Sequence, residues 1–137
     1  MLNKPIHQII PQQDPFVFVD HLISVTESQF ISQFKPLSGQ LLVEHDFLSE
    51  AGMMENMAQT AAAGMGCYFQ SQNKAIPRGF IGAVKNFQIF SLAPVNQTIT
   101  TKIQLLQEVF GVSIINAEIF LQDKLIASCE MKIVLES

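Results

Sequence analysis

The sequence predicts an α+β fold in which a curled antiparallel sheet wraps one long buried helix. Two observations lead there. Phe47–Gln70 is the only long stretch with helix-forming composition, and from Ala51 to Phe69 its only polar side chains besides the Tyr68 hydroxyl are Glu55, Asn56, Gln59 and Thr60. A surface helix carries a polar face along its whole length, so this helix needs a wrapper. The rest of the chain offers one, with two strand-like runs before the helix and four after it.

Each element has a local reason. Asn3–Ile10 is expected as a short helix, capped by Asn3, with Pro5 near its start and Pro11 as its stop. Pro11–Pro15 is a rigid loop. Phe16–Val25 has the β-branched and aromatic content of a strand. Glu27-Ser28 turns the chain, and Gln29–Phe34 alternates as the second arm of a hairpin. Pro36–Gln40 is turn-rich, Leu41–Val43 is a short apolar run, and Glu44-His45-Asp46 is a charged elbow. Ser49 or Asp46 is the expected helix N-cap. Gly, Ala and Met inside the helix let other elements approach closely. Ser71–Pro77 is a polar loop. Strands are then expected over Gly79–Phe90, with a break at Gly82, and over Thr98–Phe110, Ser113–Leu121 and Leu125–Leu135. Turns separate them at Ala93–Asn96, at Gly111 and at Gln122-Asp123-Lys124. This order suits the hotdog arrangement over residues 1–137 as a single domain, its sheet continued in a dimer. An α+β domain of another topology is the structural alternative.

Composition points the same way. Charged residues make up only 15% and hydrophobic ones 48%, with 11 Phe and no Trp. So little charge implies a surface covered by a partner subunit. A net charge of −4 argues against a general nucleic-acid binder. No acid lies between Asn56 and Gln107, a window holding Lys74, Arg78, Lys85 and Lys102. That window reads either as chance or as an anion-binding rim. Cys67 and Cys129 sit in apolar settings and are expected as buried small hydrophobes. The N-terminus lacks the apolar core of a signal peptide, and Glu55, Asn56 and Gln59 interrupt the helix as a membrane span, so a cytoplasmic location is expected.

Glu55 is the strongest candidate for chemistry. It is a carboxylate on an otherwise buried element, with Gln59 one turn on. His45 lies just upstream, and a His with a Glu in a dry cleft makes a general base and a general acid. The plainer readings are a Glu55 that faces water or stabilises the helix N-terminus, and a His45 that is an exposed elbow residue. His7 is assigned to the N-terminal helix and His21 to a strand. No phosphate loop, metal cluster or Gly-x-Ser-x-Gly elbow is present, and Ser49 and Cys67 have no base at motif spacing. Gly64-Met-Gly66 reads as tight packing.

Ile9-Ile-Pro-Gln-Gln-Asp-Pro-Phe-Val-Phe-Val-Asp20 resembles the opening of 3-hydroxyacyl-(acyl carrier protein) dehydratases. Glu55-Asn-Met-Ala-Gln59 resembles their helix motif Glu-Ala-Met-Ala-Gln, except at Asn56. Glu44-His-Asp-Phe-Leu48 is similar to the His-Pro-Phe-Leu elbow of dehydratases from aryl-polyene and flexirubin-like pigment clusters. The resemblance implies a hotdog dimer in which His45 and Glu55 meet from opposite subunits. His45 would take the α-proton and Glu55 would protonate the departing β-hydroxyl. Amides at Gly52 and Met53 would hold the enolate oxygen, and Gln59 would place Glu55 or a water. No cofactor is implied, because the substrate rides on the phosphopantetheine of an acyl carrier protein. Lys74, Arg78 and Lys85 are the expected docking rim for that acidic partner. Assembly as a homodimer, a higher oligomer or a heterodimer with a homologous subunit is implied. The sequence also departs from the pattern: Glu50 replaces a glycine, Pro11-Gln12-Gln13 replaces Pro-His-Arg, and the elbow is shorter. The alternatives are a hotdog thioesterase, with Glu55 acting on water, and a non-catalytic partner or acyl-binding subunit.

Overall fold

The computed structural model describes residues 5–76 and 78–136. Helix α1, Glu50–Ser71, is the axis of the molecule. Around it curls a six-stranded antiparallel sheet built from β1 (His21–Val25), β2 (Gln29–Phe34), β5 (Gly79–Ile89), β7 (Ile99–Val109), β8 (Val112–Leu121) and β9 (Lys124–Leu135). Their spatial order is β1-β2-β7-β8-β9-β5. A second, three-stranded sheet joins β3 (Val43–Glu44), β4 (Phe47–Leu48) and β6 (Ala93–Pro94). This is the wrapped-helix arrangement that the sequence predicts.

The sheet's inner face is written in period two. Buried and half-buried residues alternate along β8, so that Ser113, Ile115, Ala117 and Ile119 form one row. Phe30, Phe34, Ile99, Ile103 and Met131 close on Met53, Met57 and Ala61 of α1 in the same core. Gly64 gives the helix its close approach, because a Cβ there would lie 2.1 Å from Cγ of Phe30. Gly66 does the same for Ile9, at 2.9 Å from its side chain. The Gly-Met-Gly run is therefore packing, as expected. A second cluster of Ile9, Ile10, Leu22, Ala63 and Cys67 seats the N-terminal segment on another face of α1. Cys67 and Cys129 are both buried thiols.

Three expectations need correction. The N-terminal helix is a single 3-10 turn, Ile6–Gln8, and its expected cap Asn3 lies outside the described residues, as does Pro77 of the loop after α1. The first strand starts at His21, not Phe16. The backbone of Phe16 and Phe18 bonds to side chains of α1 and so is not free for a ladder. The charged elbow is a strand hairpin in its own right. The break at Gly82 appears as a register shift between Ile81 and Ala83.

Strand β5 is the exposed edge. Nearly every residue along its length is open to solvent, including Phe80 at 54% and Ile81 at 46%. An 11-residue apolar edge is what a sheet presents when another strand continues it. Among the described residues, no helix is long and apolar enough to cross a membrane.

Candidate active site

His45 sits at the tip of the β3–β4 hairpin. Val43 pairs with Leu48 and Glu44 with Phe47, which leaves His45 and Asp46 as a two-residue turn. Both have left-handed backbones, with φ of 52° and 67°. Two-residue hairpin turns favour such backbones because their twist matches that of the strands. For a non-glycine residue this costs about 1–2 kcal/mol. The tip is tied down elsewhere, since β4 pairs with β6 and the Val95 N–H donates to the Asp46 carbonyl at 3.0 Å. The elbow thus presents an exposed imidazole on a fixed backbone. Among the described residues, His45 makes no hydrogen bond or ion pair, and nothing joins it to Glu55 within the chain.

Glu55 is half-buried on α1 and is held by Gln59, whose Nε2 lies 3.3 Å from Oε2 of Glu55. Gln59 is itself fixed. Its Oε1 accepts from the Phe18 N–H at 2.7 Å, and its Nε2 donates to the Phe16 carbonyl at 2.8 Å. Asn56 adds a third tie, donating to the Phe18 carbonyl at 2.7 Å and accepting from the Thr101 hydroxyl at 2.5 Å. Thr60 links this network to Ser32, hydroxyl to hydroxyl at 2.7 Å. Buried polar groups need such partners. The result is a rigid mount behind Gln59, the residue that holds Glu55. Asn56, the one departure from the helix motif, is one of its central members.

The helix start carries one of its two expected caps. Ser49 is the N-cap, and its Oγ accepts from the Gly52 N–H at 3.2 Å. The Met53 N–H donates to the Ser49 carbonyl at 2.9 Å. The two amides named as oxyanion donors therefore already have partners. Gly52 is a packing glycine, as a Cβ would fall 2.3 Å from Cδ1 of Leu48. Of the first-turn amides that intrahelical geometry leaves open, those of Glu50 and Ala51 remain, on exposed residues.

One turn beyond Glu55 the same helix face continues through Ala58, Ala62 and Met65. These three line a groove of about 520 Å³, together with Ile9, Ile10 and Gln12 on one wall and Phe80 and Ile81 on the other. In the sequence Gln12 stands out only as a departure from the resembling family's Pro-His-Arg. Its Oε1 is buried, has no hydrogen-bond partner among the described residues, and lines the groove. Its only signal was position, where the resembling family has His.

The acid-free window is not acid-free in space. Lys85 sits across from Glu130, and Lys102 across from Glu118. Lys74 shares a cavity wall with Glu27 and Glu108. Only Arg78 lines the groove. His7 and His21 are exposed. Among the described residues no cluster of His, Cys, Asp and Glu has the arrangement of a metal site.

Solved structures share this fold. The dehydratase heterocomplex ApeI:P from Xenorhabdus doucetiae superposes with a TM-score of 0.87 at 15% identity, covering 98% of this chain and 92% of that one. The PaaI protein of the phenylacetic acid degradation operon of E. coli gives 0.67 at 17% identity, covering 82% and 80%. A hypothetical thioesterase with coenzyme A from Streptococcus pneumoniae gives 0.69 at 5% identity, covering 85% and 84%. At such identities the likeness establishes the hotdog fold alone. No curated protein sequence matches the chain significantly. The ApeP-like family, described as ApeP dehydratase, matches residues 4–136, and this hotdog chain belongs to that family.

Proposed function

We propose that the protein dehydrates a 3-hydroxyacyl thioester, carried on an acyl carrier protein, to the trans-2-enoyl thioester. The observation that carries this reading is Glu55, half-buried and held by Gln59 on the helix face whose following turns line an apolar groove, in a chain of a dehydratase family. In the reaction His45 takes the α-proton. The C–H electron pair becomes the new double bond, the Cβ–O bond breaks, and Glu55 gives its proton to the hydroxyl that leaves as water. The thioester acidifies the α-proton, so the residues need only move protons. The Glu50 and Ala51 amides are the available donors for the enolate oxygen. The groove takes the acyl chain.

The site needs a second subunit. His45 and Glu55 do not touch within one chain, and β5 offers an edge on which a second sheet can continue. The described heterocomplex of a similar fold supports a homologous subunit as that partner, with a second copy of this chain as the other choice. Of the three expected docking residues, Arg78 at the groove is the one retained for the carrier-protein rim, since Lys74 lies with Glu27 and Glu108 and Lys85 lies across from Glu130. A second reading, a non-catalytic partner subunit, draws support from the exposure of His45 and the altered helix start.

The test is turnover of 3-hydroxyacyl carrier-protein substrates by the assembled protein, with Glu55→Gln and His45→Ala beside it. Each variant should keep its fold and lose about 10²–10⁴-fold in rate. Full turnover in both variants would refute the mechanism. No turnover by the wild type, with its partner present, would favour the non-catalytic reading.

A further inference from the structure

Two buried side-chain oxygens lack a hydrogen-bond partner among the described residues, Gln12 Oε1 and Ser113 Oγ. Each lines a cavity. Gln12 faces the groove beyond Glu55. Ser113 faces a second space of about 170 Å³, between the C-terminal half of α1 and the sheet. Its other walls are Phe30, Tyr68, Phe69 and Leu105 together with the charged Glu27, Lys74 and Glu108. Met65 and Leu135 line both cavities. A thioether and a leucine side chain are thus the partition between them. Methionine is the flexible member, with three rotatable bonds and no branching.

Ser113 is a hydroxyl in an otherwise apolar row. It is fully buried, and its neighbours on that face of β8 are Ile115, Ala117 and Ile119. An unsatisfied buried hydroxyl is destabilising, so its place in such a row calls for a partner. The distance fits a chain. Glu55 and Met65 are ten residues apart on one helix, which is ~15 Å of rise. An extended chain gains about 3.6 Å over three bonds, so roughly a dozen bonds reach Met65 from Glu55.

We propose that the Ser113 chamber is the far end of the acyl channel, entered past Met65, and that it receives a long acyl tail ending in a hydroxyl. This rests on the thioester reading above and adds the substrate's length and its terminal chemistry. Ser113 is then a specificity residue that bonds the tail, and Met65 is the wall that decides whether a tail passes.

The test is calorimetric binding of saturated acyl-pantetheine thioesters, which cannot react, to the full chain in its native assembly. Short chains stop before Met65, and long chains exceed roughly a dozen bonds. Long tails end in methyl or in hydroxyl. The hydroxyl tail should bind about fivefold tighter, the weight of one net hydrogen bond. Ser113→Ala should erase that preference while keeping or raising the melting temperature. Met65→Phe should weaken both long ligands and leave the short one unchanged. Equal binding of the two tails, a preference that survives Ser113→Ala, or no binding of long chains would each overturn the proposal. Failure of the dehydratase reading looks different: the tail preference stays while 3-hydroxyacyl substrates are not turned over.

Discussion

Asn56→Ala is the perturbation that most directly probes the mount of Glu55. It removes two hydrogen bonds and strands two buried groups, the Phe18 carbonyl and the Thr101 hydroxyl. Thr101 is fully buried and Phe18 nearly so, which leaves water little access to either. Each stranded group costs about 1–3 kcal/mol. Alanine's better helix propensity returns at most about 0.7 kcal/mol. The net loss should be about 1–5 kcal/mol, a large share of the ~5–15 kcal/mol typical of a domain. Urea unfolding of the variant measures it. Thr101→Val in the same background completes a double-mutant cycle, and the pair should cost less than the sum of the singles by about 1 kcal/mol or more. A single-variant loss under about 0.5 kcal/mol, or strict additivity, would show that the network holds nothing in place.

Other outcomes follow from the same geometry. His45→Gly should leave the unfolding midpoint unchanged or raise it, because glycine relieves the left-handed backbone, while turnover is lost; a marked destabilisation would contradict the strained-tip account. Gly64→Ala should destabilise by about 1–3 kcal/mol through collision with Phe30, and Phe30→Leu should restore part of it in thermal melts. Burial pushes the Cys129 thiol up to about 11 from 9.0. Its contribution to stability is therefore complete below pH 9 and fades as pH rises toward 11, since the unfolded chain releases the proton first. Cys129→Ala should flatten that part of the stability–pH curve, and an unchanged slope would assign the alkaline loss to other groups.

The long elements were legible because their signals are repetitive. A helix with polar side chains only in its first half, and strands alternating over ten or more residues, leave little choice of period. The small sheet was not legible, because two-residue strands such as Val43–Glu44 carry no period at all. Phe16–Asp20 misled for a different reason. Its composition is that of a strand, but its hydrogen-bond partners are Asn56 and Gln59, 38 to 43 residues away. Propensity cannot see a side-chain amide standing in for a neighbouring strand. The acid-free window misled likewise, since antiparallel pairing set Glu130 opposite Lys85. At the site, the i,i+4 pair of Glu55 and Gln59 could be read from spacing. The fate of the Gly52 amide could not, because it depended on which of two residues capped the helix.

The unfinished features of this chain have one explanation. The apolar edge of β5, the half-buried helix face running from Glu55 to Met65, and the unpartnered His45 tip are each costly or idle in a lone subunit. An exposed apolar strand invites aggregation. A groove open to water weakens every electrostatic interaction inside it. A strained histidine with no partner stores energy without return. Continuing the sheet across β5 covers Phe80 and Ile81, which are groove walls as well as edge residues. The same event that buries the edge thus closes the groove that follows Glu55 along the helix. On the proposed reading, assembly and catalysis cannot be separated. Phe80→Asp should lower both together, with dissociation seen by light scattering and turnover falling in proportion to the subunits released. A variant that dissociates while keeping full turnover would place the complete site within one chain.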